Sequence, residues 1–414
     1  MIDLGTLGGT YSQGFGLNNN GSVVGIASTA NDTSFHAFLW QKGKMIDLGT
    51  LAGSDTLPFS LAVGINERDE VAGYSETSGP DPLGENFCGD SLICLPFIWQ
   101  DGVMTPLPTL GGNNGQATGI NNRGQVVGYA ENSTPDPSCQ GSNPQVLHFE
   151  PVIWNKGKVQ ELPTFLGDLD GLAAAINGEG DAVGVSFDCQ FVPGHALLWR
   201  PGTLTDLGTL GGLPLMPADI NNEGQVVGVA FMLNGPNVET FLWHHGVVRG
   251  LGSLPGDASS SGNAINDRGQ LVGQSCTDQN CVTARAFLWE DGVMTDLNTL
   301  VPADSPLQMV DSSAINSRGE IVGVAVKKST GELRAFLATP CDREDSEENT
   351  CEDSAESATA AKRTALVIQS PATVAPEKIS ESPQVVLPEK VRKLLQQRRG
   401  FGRLLGPAIR PSTD

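Results

Sequence analysis

The sequence predicts an all-β fold: a seven-bladed β-propeller of four-stranded blades, closed by the N-terminal strand and followed by a largely disordered C-terminal tail. Three observations lead to this prediction. Three landmarks recur in fixed order, and each cycle of about 45 residues reads as four short strands. The chain also begins with the strand that its last cycle lacks.

The first landmark is Asn-x-x-Gly, followed by apolar residues and by a second Gly seven residues after the Asn. An Asn at the start of a four-residue turn bonds its own backbone, and the following Gly tolerates a positive φ. We therefore expect a structural turn role, rather than a ring of ligands, for seven residues: Asn18, Asn66, Asn121, Asn177, Asn221, Asn266 and Asn316.

The second landmark is an apolar run that ends in Trp. All six tryptophans of the chain occupy this position: Trp40, Trp99, Trp154, Trp199, Trp243 and Trp289. Because each ends the most apolar strand of its cycle, we expect these side chains to pack between blades. A stacking platform for sugars is the alternative role.

The third landmark is Asp-Leu-Gly-Thr-Leu at Asp47 to Leu51, and its last residue lies 11 positions after the Trp. Near-copies return in the later cycles, and one copy opens the chain at Ile2 to Leu7. No segment has a sustained helical period, and the valines favour extended backbone. One cycle is thus predicted to contain strands at 115–120, 125–129, 150–154 and 158–165.

The two ends of the repeat region favour a closed ring. The seventh cycle contains Asn316 to Gly323 and Ala335 to Ala338, but no fourth strand follows it. Ile2 to Leu7 can supply that strand, so that no open sheet edge is left at the seam. A parallel β-helix is the rival architecture, but it requires shorter coils, and a solenoid would require capping repeats.

Charge divides the chain into the propeller and a tail. Residues 341–414 hold 11 of the 25 basic and 12 of the 47 acidic residues, which leaves a net charge of −21 for residues 1–340. This acidity argues against non-specific nucleic-acid binding, and no apolar run is long enough for a transmembrane helix. We assign residues 1–340 to the propeller, 341–387 to an acidic and then Ser/Ala/Pro-rich linker, and 388–414 to a basic tail.

The basic tail contains seven basic residues and no acidic one between Lys390 and Arg410. A short helix from Pro388 to about Arg399 could touch an anionic surface or the acidic propeller. An unstructured basic end is the alternative.

The eight cysteines lie in predicted loops or in the tail and form close pairs. Such pairs predict disulfides and an oxidising compartment. Zinc is the alternative, but it usually requires closely spaced knuckles or histidine partners. The predicted disulfides are Cys88–Cys94, Cys139–Cys189, Cys276–Cys281 and Cys341–Cys351. Since Met1 aligns with Met45 inside a repeat, we expect an export signal upstream of Met1.

Loop lengths indicate which face of the propeller binds a ligand. The segment between strands two and three spans 23 residues in blades two and three, from Gly73 to Pro96 and from Gly128 to Pro151. Because the two blades are neighbours, the insertions should form one raised lip, and long loops on a rigid scaffold often carry binding residues. A tolerated surface insertion is the alternative. The candidate lip residues are Asp81, Glu85, Asp90 and Asp136.

No motif indicates catalysis, a cofactor or a metal. The five histidines have no metal-binding spacing: His36, His148, His195, His244 and His245. Asp168-Leu-Asp170-Gly171 weakly resembles a calcium loop, but the other ligand positions are missing. A serine elbow and a phosphate loop are both absent from the sequence. Carboxylates are plentiful, although nothing singles out a glycosidase pair.

Together the landmarks resemble the HAF-repeat family of probable extracellular repeat proteins. The resemblance rests on His36 to Trp40, Gly43 to Leu51, Asp206 to Gly212 and Ile220 to Gly228, and it covers about residues 1–340. Strand three of blades two and three departs from the family pattern. The resemblance implies a bacterial exported or surface protein and brings no activity or catalytic residue.

These observations predict a secreted or cell-surface scaffold that binds an extracellular ligand, a glycan or a protein, and we expect a monomer without a cofactor. A hydrolase or lyase acting on polysaccharide is one alternative. A purely structural surface protein is another.

Overall fold

The computed structural model describes residues 1–53, 58–88, 91–137, 145–188, 193–232, 238–278 and 281–340. Cys139, Cys189, Cys341, Cys351, Asp90 and the whole of the predicted tail lie outside these residues. Apart from two 3-10 turns, η1 (Ala30–Asp32) and η2 (Leu297–Leu300), the regular elements of the described chain are strands. The all-β prediction is therefore confirmed.

The strands form four-stranded antiparallel groups, here called blades and numbered along the chain. Blade one contains β2 (Gly8–Leu17), β3 (Val23–Thr29), β4 (Phe35–Gln41) and β5 (Lys44–Asp47). Blade two contains β6 (Ser60–Ile65), β7 (Val71–Pro80), β8 (Leu92–Gln100) and β9 (Val103–Pro106). Blade three contains β10 (Gly111–Ile120), β11 (Val126–Pro135), β12 (Leu147–Asn155) and β13 (Lys158–Glu161).

The second half of the described chain repeats this pattern. Blade four contains β14 (Asp170–Ile176), β15 (Ala182–Phe187), β16 (Pro193–Arg200) and β17 (Thr203–Asp206). Blade five contains β18 (Met216–Ile220), β19 (Val226–Phe231), β20 (Val238–His244) and β21 (Val247–Gly250). Blade six contains β22 (Ser259–Ile265), β23 (Leu271–Cys276), β24 (Ala284–Glu290) and β25 (Val293–Asp296). Blade seven contains β26 (Leu307–Ile315), β27 (Ile321–Lys327) and β28 (Leu333–Ala338), and β1 (Ile2–Asp3) pairs with its last strand.

The N-terminal strand adds to the C-terminal blade. β1 runs antiparallel to β28, with Ile2 opposite Leu337, and the Leu4 amide donates to the Ala335 carbonyl at 2.9 Å. A parallel pair between Tyr11 and Leu333 also joins blades seven and one. We interpret these pairings as a ring of seven blades closed by the N-terminal strand.

The repeated asparagines lie in the turns between the first two strands of each blade. In Asn121, for example, Oδ1 accepts bonds from the amides of Arg123 and Gln125 at 3.0 Å each. The fourth turn residue takes a positive φ, at Gly124 (74°) and at the exception Asp69 (58°). These bonds satisfy the turn backbone locally, as the sequence predicts.

The same asparagines also join the blades, which the sequence analysis did not predict. Each side-chain Nδ2 donates to the backbone carbonyl of the Asn in the next blade. The seven bonds are 18→66 (3.0 Å), 66→121 (3.2 Å), 121→177 (2.9 Å), 177→221 (3.1 Å), 221→266 (3.0 Å), 266→316 (3.0 Å) and 316→18 (3.1 Å). The last bond returns to the first blade, so the asparagines form a closed ring.

The tryptophans pack against the preceding blade. Trp154, for example, shares a cluster with Ala72 and Leu107 of blade two, and its indole N–H donates to the Pro108 carbonyl at 2.7 Å. The other five tryptophans also lie in or against clusters that combine two blades. Burial of aromatic surface therefore contributes to holding the blades together.

Two disulfides are present in the described residues, Cys88–Cys94 and Cys276–Cys281. Both pairs agree with the sequence prediction. The expectation that every cysteine lies outside a strand was wrong, because Cys94 belongs to β8 and Cys276 ends β23. In each pair a strand cysteine anchors a loop cysteine, and all four are buried.

Candidate functional site

The insertions of blades two and three lengthen two hairpins. After a bulge, β7 continues to Pro80, which lies opposite Leu92. In the same way, β11 continues after a bulge to Pro135, which lies opposite Leu147. We call these extended hairpins, residues 76–95 and 131–150, the lip. In each blade, the connection between the second and third strands lies at the end opposite the asparagine turn, which joins the first and second strands. The lip therefore rises on the face opposite the asparagine ring.

A central cavity of about 820 Å³ opens beside the lip. Its walls come mainly from the first strand of each blade, namely β2, β6, β10, β14, β18, β22 and β26. Side chains from second and third strands and Asn86, Phe87 and Cys88 of the lip complete the lining. The volume falls within the range of small-molecule sites, which is about 300–1,000 Å³. The Cys88–Cys94 disulfide ties the inward-facing part of the lip to β8.

Aromatic side chains dominate the cavity wall: Tyr11, Phe15, Phe35, Phe59, Tyr74, Phe87, Tyr129 and Phe149. Phe87 reaches from the lip toward blade three, where its ring centroid lies 6.2 Å from those of both Tyr129 and Phe149. Phe59 and Tyr74 form a second pair at 6.0 Å. Such rings offer flat apolar surfaces, and the three tyrosines and neighbouring amides add polar groups.

The polar lining is mostly uncharged. Five amide side chains reach the cavity: Gln13, Asn86, Gln116, Gln145 and Asn263. Gln116 is oriented by a 2.8 Å bond from its Nε2 to the Phe87 carbonyl. Among the described lining residues, Asp219 is the one carboxyl group, and none is basic.

The pKa of Asp219 lies close to neutral pH. Burial raises its pKa to about 7, although the amides of Ile265 and Ile220 donate to its carboxyl and lower the pKa. Those two bonds are 2.9 and 2.8 Å long. The described lining of the cavity therefore contains one carboxyl group instead of the two accessible ones that a standard glycosidase needs.

The three described candidate residues of the lip are buried rather than exposed to a ligand. Asp81 is 7%, Glu85 0% and Asp136 5% exposed. Oδ1 of Asp81 accepts bonds from the Leu83 and Glu85 amides, and Oε1 of Glu85 accepts from the Leu147 amide at 3.1 Å. Asp81 and Glu85 therefore hold the backbone of the lip, and the assignment of all three acids as ligand-binding residues stays a prediction.

Glu85 and Glu131 are buried carboxyl groups that interact across the two hairpins of the lip. Glu131 accepts bonds from the Asn113 and Asn114 amides at 3.0 and 2.8 Å. Burial, followed by the charge of Glu85, raises the pKa of Glu131 to about 8, and burial also raises the pKa of Glu85. A protonated Glu131 can donate a hydrogen bond to Glu85, which would place one shared proton between the two hairpins.

A second acidic cluster lies beneath the lip, between blades three and four. Oδ1 of Asp170 accepts the Phe149 amide at 3.1 Å and lies 3.3 Å from Nδ1 of His148. The same Nδ1 lies 3.9 Å from Oδ2 of Asp136. Burial is the main cause that raises the pKa of Asp170 to about 8, and the charge of Asp136 adds to it.

This cluster corrects the expectation that the histidines have no metal-binding arrangement. One potential ligand atom from each of Asp136, His148 and Asp170 lies within 4.8 Å of the others. Spacing along the chain could not reveal the cluster, because its members come from three separate segments. The other ion-paired histidines, His36 and His195, each contact one carboxylate, at Asp47 and Asp168.

No family model and no curated protein matches the sequence. The chain is similar to the solved structure of TolB from Acinetobacter baumannii, with 10% identity and a TM-score of 0.41 over 66% of this chain and 61% of that chain. It thus spans less than two thirds of that protein.

Two further structures are similar. The β-propeller domain of the Trilobed protease from Pyrococcus furiosus has 12% identity and a TM-score of 0.40, over 68% of this chain and 82% of that chain. A polysaccharide lyase described as an ulvan lyase has 11% identity and a TM-score of 0.42, over 81% and 96%.

Proposed function

We propose that the chain is a secreted or cell-surface binding propeller that takes a neutral ligand with an apolar face into its central cavity. The observation that carries the proposal is the lining, with eight aromatic rings, five amides and a single carboxyl group among the described residues. A neutral saccharide is the first ligand class to test, because its apolar ring faces and hydroxyl groups suit aromatic and amide side chains.

Charge supports a neutral ligand rather than an anionic one. Residues 1–340 have a net charge of −21, and no basic side chain lines the described part of the cavity. An anionic polysaccharide would therefore meet long-range repulsion without a compensating ion pair. This argument also disfavours the alternative of a lyase acting on an acidic polysaccharide.

The proposed location follows from the disulfides. The two disulfides of the described residues fit an oxidising compartment. The HAF-repeat resemblance adds the proposal of an exported bacterial protein. A purely structural surface protein remains the alternative, and it predicts no saturable ligand.

The test is a binding screen of the oxidised protein against neutral and anionic glycans, with product release monitored in the same wells. The variants Phe87→Ala and Phe59→Ala remove aromatic surface from two separate aromatic groups of the cavity. Val247→Ala is the matched control, because Val247 is 65% exposed beside a turn between strands three and four. Circular dichroism would verify that each variant folds.

We expect saturable binding of a neutral glycan that both cavity variants weaken and Val247→Ala leaves unchanged. Equal binding by wild type and both cavity variants would overturn the cavity assignment. Selective binding of anionic glycans would contradict the neutral-ligand argument. Product release would favour the hydrolase or lyase. The absence of both binding and product release with every glycan would favour the structural alternative.

A further inference from the structure

The same structural position occurs twice in the lip, with different chemistry. Asp81 and Asp136 each follow the extended part of strand two, and their amides donate to the carbonyls of Ser91 and Val146. In the first copy, the Cys94 amide donates to Oδ1 of Asn114 at 3.0 Å. In the second copy, the Phe149 amide donates to Oδ1 of Asp170 at 3.1 Å. Asp81–Asn114 therefore corresponds to Asp136–Asp170.

The strand register identifies a third corresponding position. Cys94 lies opposite Glu76, and Phe149 lies opposite Glu131. The preceding residue is Ile93 in the first copy and His148 in the second. The second copy thus replaces an amide with a carboxyl and an isoleucine with an imidazole.

These two replacements change the hydrogen-bond donors that are available to the buried carboxyl groups. In the first copy, Nδ2 of Asn114 donates to Oδ2 of Asp81 at 2.8 Å, so the acid is satisfied. In the second copy this donor is lost, because Asp170 offers only oxygen atoms when it is ionised. The Asp170 side chain is fully buried, and within the described chain no hydrogen-bond donor reaches its Oδ2. A buried carboxyl oxygen in this position is satisfied either by a proton on Asp170 or by a bound cation.

The ligand atoms are spaced for a metal ion. Nδ1 of His148 lies 3.3 Å from Oδ1 of Asp170 and 3.9 Å from Oδ2 of Asp136. An ion bound tetrahedrally at about 2.1 Å from each ligand holds the ligand atoms about 3.4 Å apart. Small side-chain rotations would bring the three residues to that geometry.

We propose that Asp136, His148 and Asp170 bind one divalent transition-metal ion of the zinc class. An imidazole with two carboxylates suits zinc better than calcium or magnesium, which prefer oxygen ligands. The ion would join Asp136 of the lip to Asp170 of blade four. Phe149 follows His148 and Gln145 donates to Oδ1 of Asp170, and both residues line the cavity, so the ion would also fix one wall of that cavity.

The test uses the full chain with its disulfides intact, after free thiols have been alkylated and metal removed with a chelator. Zn²⁺, Mn²⁺ and Ca²⁺ are titrated separately by calorimetry, and thermal unfolding is measured with and without each ion. Asp170→Asn and His148→Ile copy the residues Asn114 and Ile93 of the first copy, so both variants have a folded precedent in the same chain. His195→Ala is the control, since His195 contacts the single carboxylate of Asp168.

We expect one equivalent of Zn²⁺, with affinity at least about 100-fold lower in Asp170→Asn and His148→Ile. His195→Ala should bind as wild type does, and the chelator should lower the unfolding temperature of wild type but not of the two ligand variants. The proposal is overturned by the absence of saturable Zn²⁺ binding, or by equal binding in the ligand variants. The Asp136–Asp170 pair would then be held by a shared proton alone. None of these readouts depends on a glycan, so the result is independent of the proposed function.

Discussion

The asparagine ring predicts that a single side chain stabilises two neighbouring blades, and Asn177 is the clearest place to test it. Its Nδ2 donates to the Asn221 carbonyl at 3.1 Å. Its Oδ1 accepts the Glu179 and Asp181 amides at 3.0 and 2.9 Å. The first bond joins two blades, and the other two hold the turn of blade four.

Two substitutions separate these roles. Asn177→Ala removes all three bonds and leaves the buried Asn221 carbonyl without its donor. A buried unsatisfied group costs about 1–3 kcal/mol and a partly buried bond about 0.5–1.5 kcal/mol, so we expect a loss of about 3 kcal/mol. Asn177→Asp keeps the turn bonds but places an oxygen against the Asn221 carbonyl, and we expect a loss of about 2 kcal/mol at neutral pH.

The measurement is urea unfolding followed by both tryptophan fluorescence and circular dichroism, since coincident transitions justify a free energy of unfolding. Asn155→Ala is the control because Asn155 is exposed at the end of β12, and it should change stability by less than about 0.5 kcal/mol. The loss in Asn177→Asp should shrink at acidic pH, where the protonated carboxyl can donate again. Wild-type stability of Asn177→Asp at neutral pH would refute the inter-blade role.

Three further predictions concern the lip. Burial raises the pKa of Glu131 from 4.5 to about 8 in the folded chain. Between these two pH values the folded chain retains a proton that the unfolded chain releases. The free energy of unfolding should therefore fall as pH rises through this range, by up to about 1.4 kcal/mol per pH unit. Glu131→Gln should flatten this part of the urea-unfolding pH profile, and an unchanged profile would contradict the shared proton. Glu85→Ala removes the acceptor of the Leu147 amide, so hydrogen exchange at residues 145–149 should accelerate while exchange in the equivalent strand of blade six stays unchanged. Cys88→Ser with Cys94→Ser should weaken ligand binding more than Cys276→Ser with Cys281→Ser, because only the first disulfide holds a cavity residue; equal effects in calorimetry would argue against the lip as part of the site.

Local chemistry explains why much of the fold could be predicted. The turn at Asn121 to Gly124 and the strand that ends at Trp154 are recognisable from neighbouring residues alone. The N-terminal strand could be assigned because the seventh repeat lacks its counterpart. The ring of bonds between asparagines was missed, because its acceptors lie 44 or more residues away along the chain.

The candidate site was harder to predict because its partners come from different blades. Asp81 and Glu85 resemble exposed loop acids in the sequence, but Asn114 and Leu147 bury them. The insertions also extend strands instead of forming loops alone. One sequence signal was available: Pro-Asp-Pro occurs at residues 80–82 and 135–137, and aligning those segments would have exposed the exchange of Ile93 for His148.

The most direct test of the central claim is hydrogen exchange of the oxidised protein with and without the neutral glycan that binds best in the screen. Ligand in the central cavity predicts slower exchange at residues 86–88 of the lip and in the inner strand β10, which contains Gln116. The turns that carry the asparagine ring on the opposite face should exchange at the same rate in both states. Protection confined to that opposite face, with no change in the lip, would contradict the account.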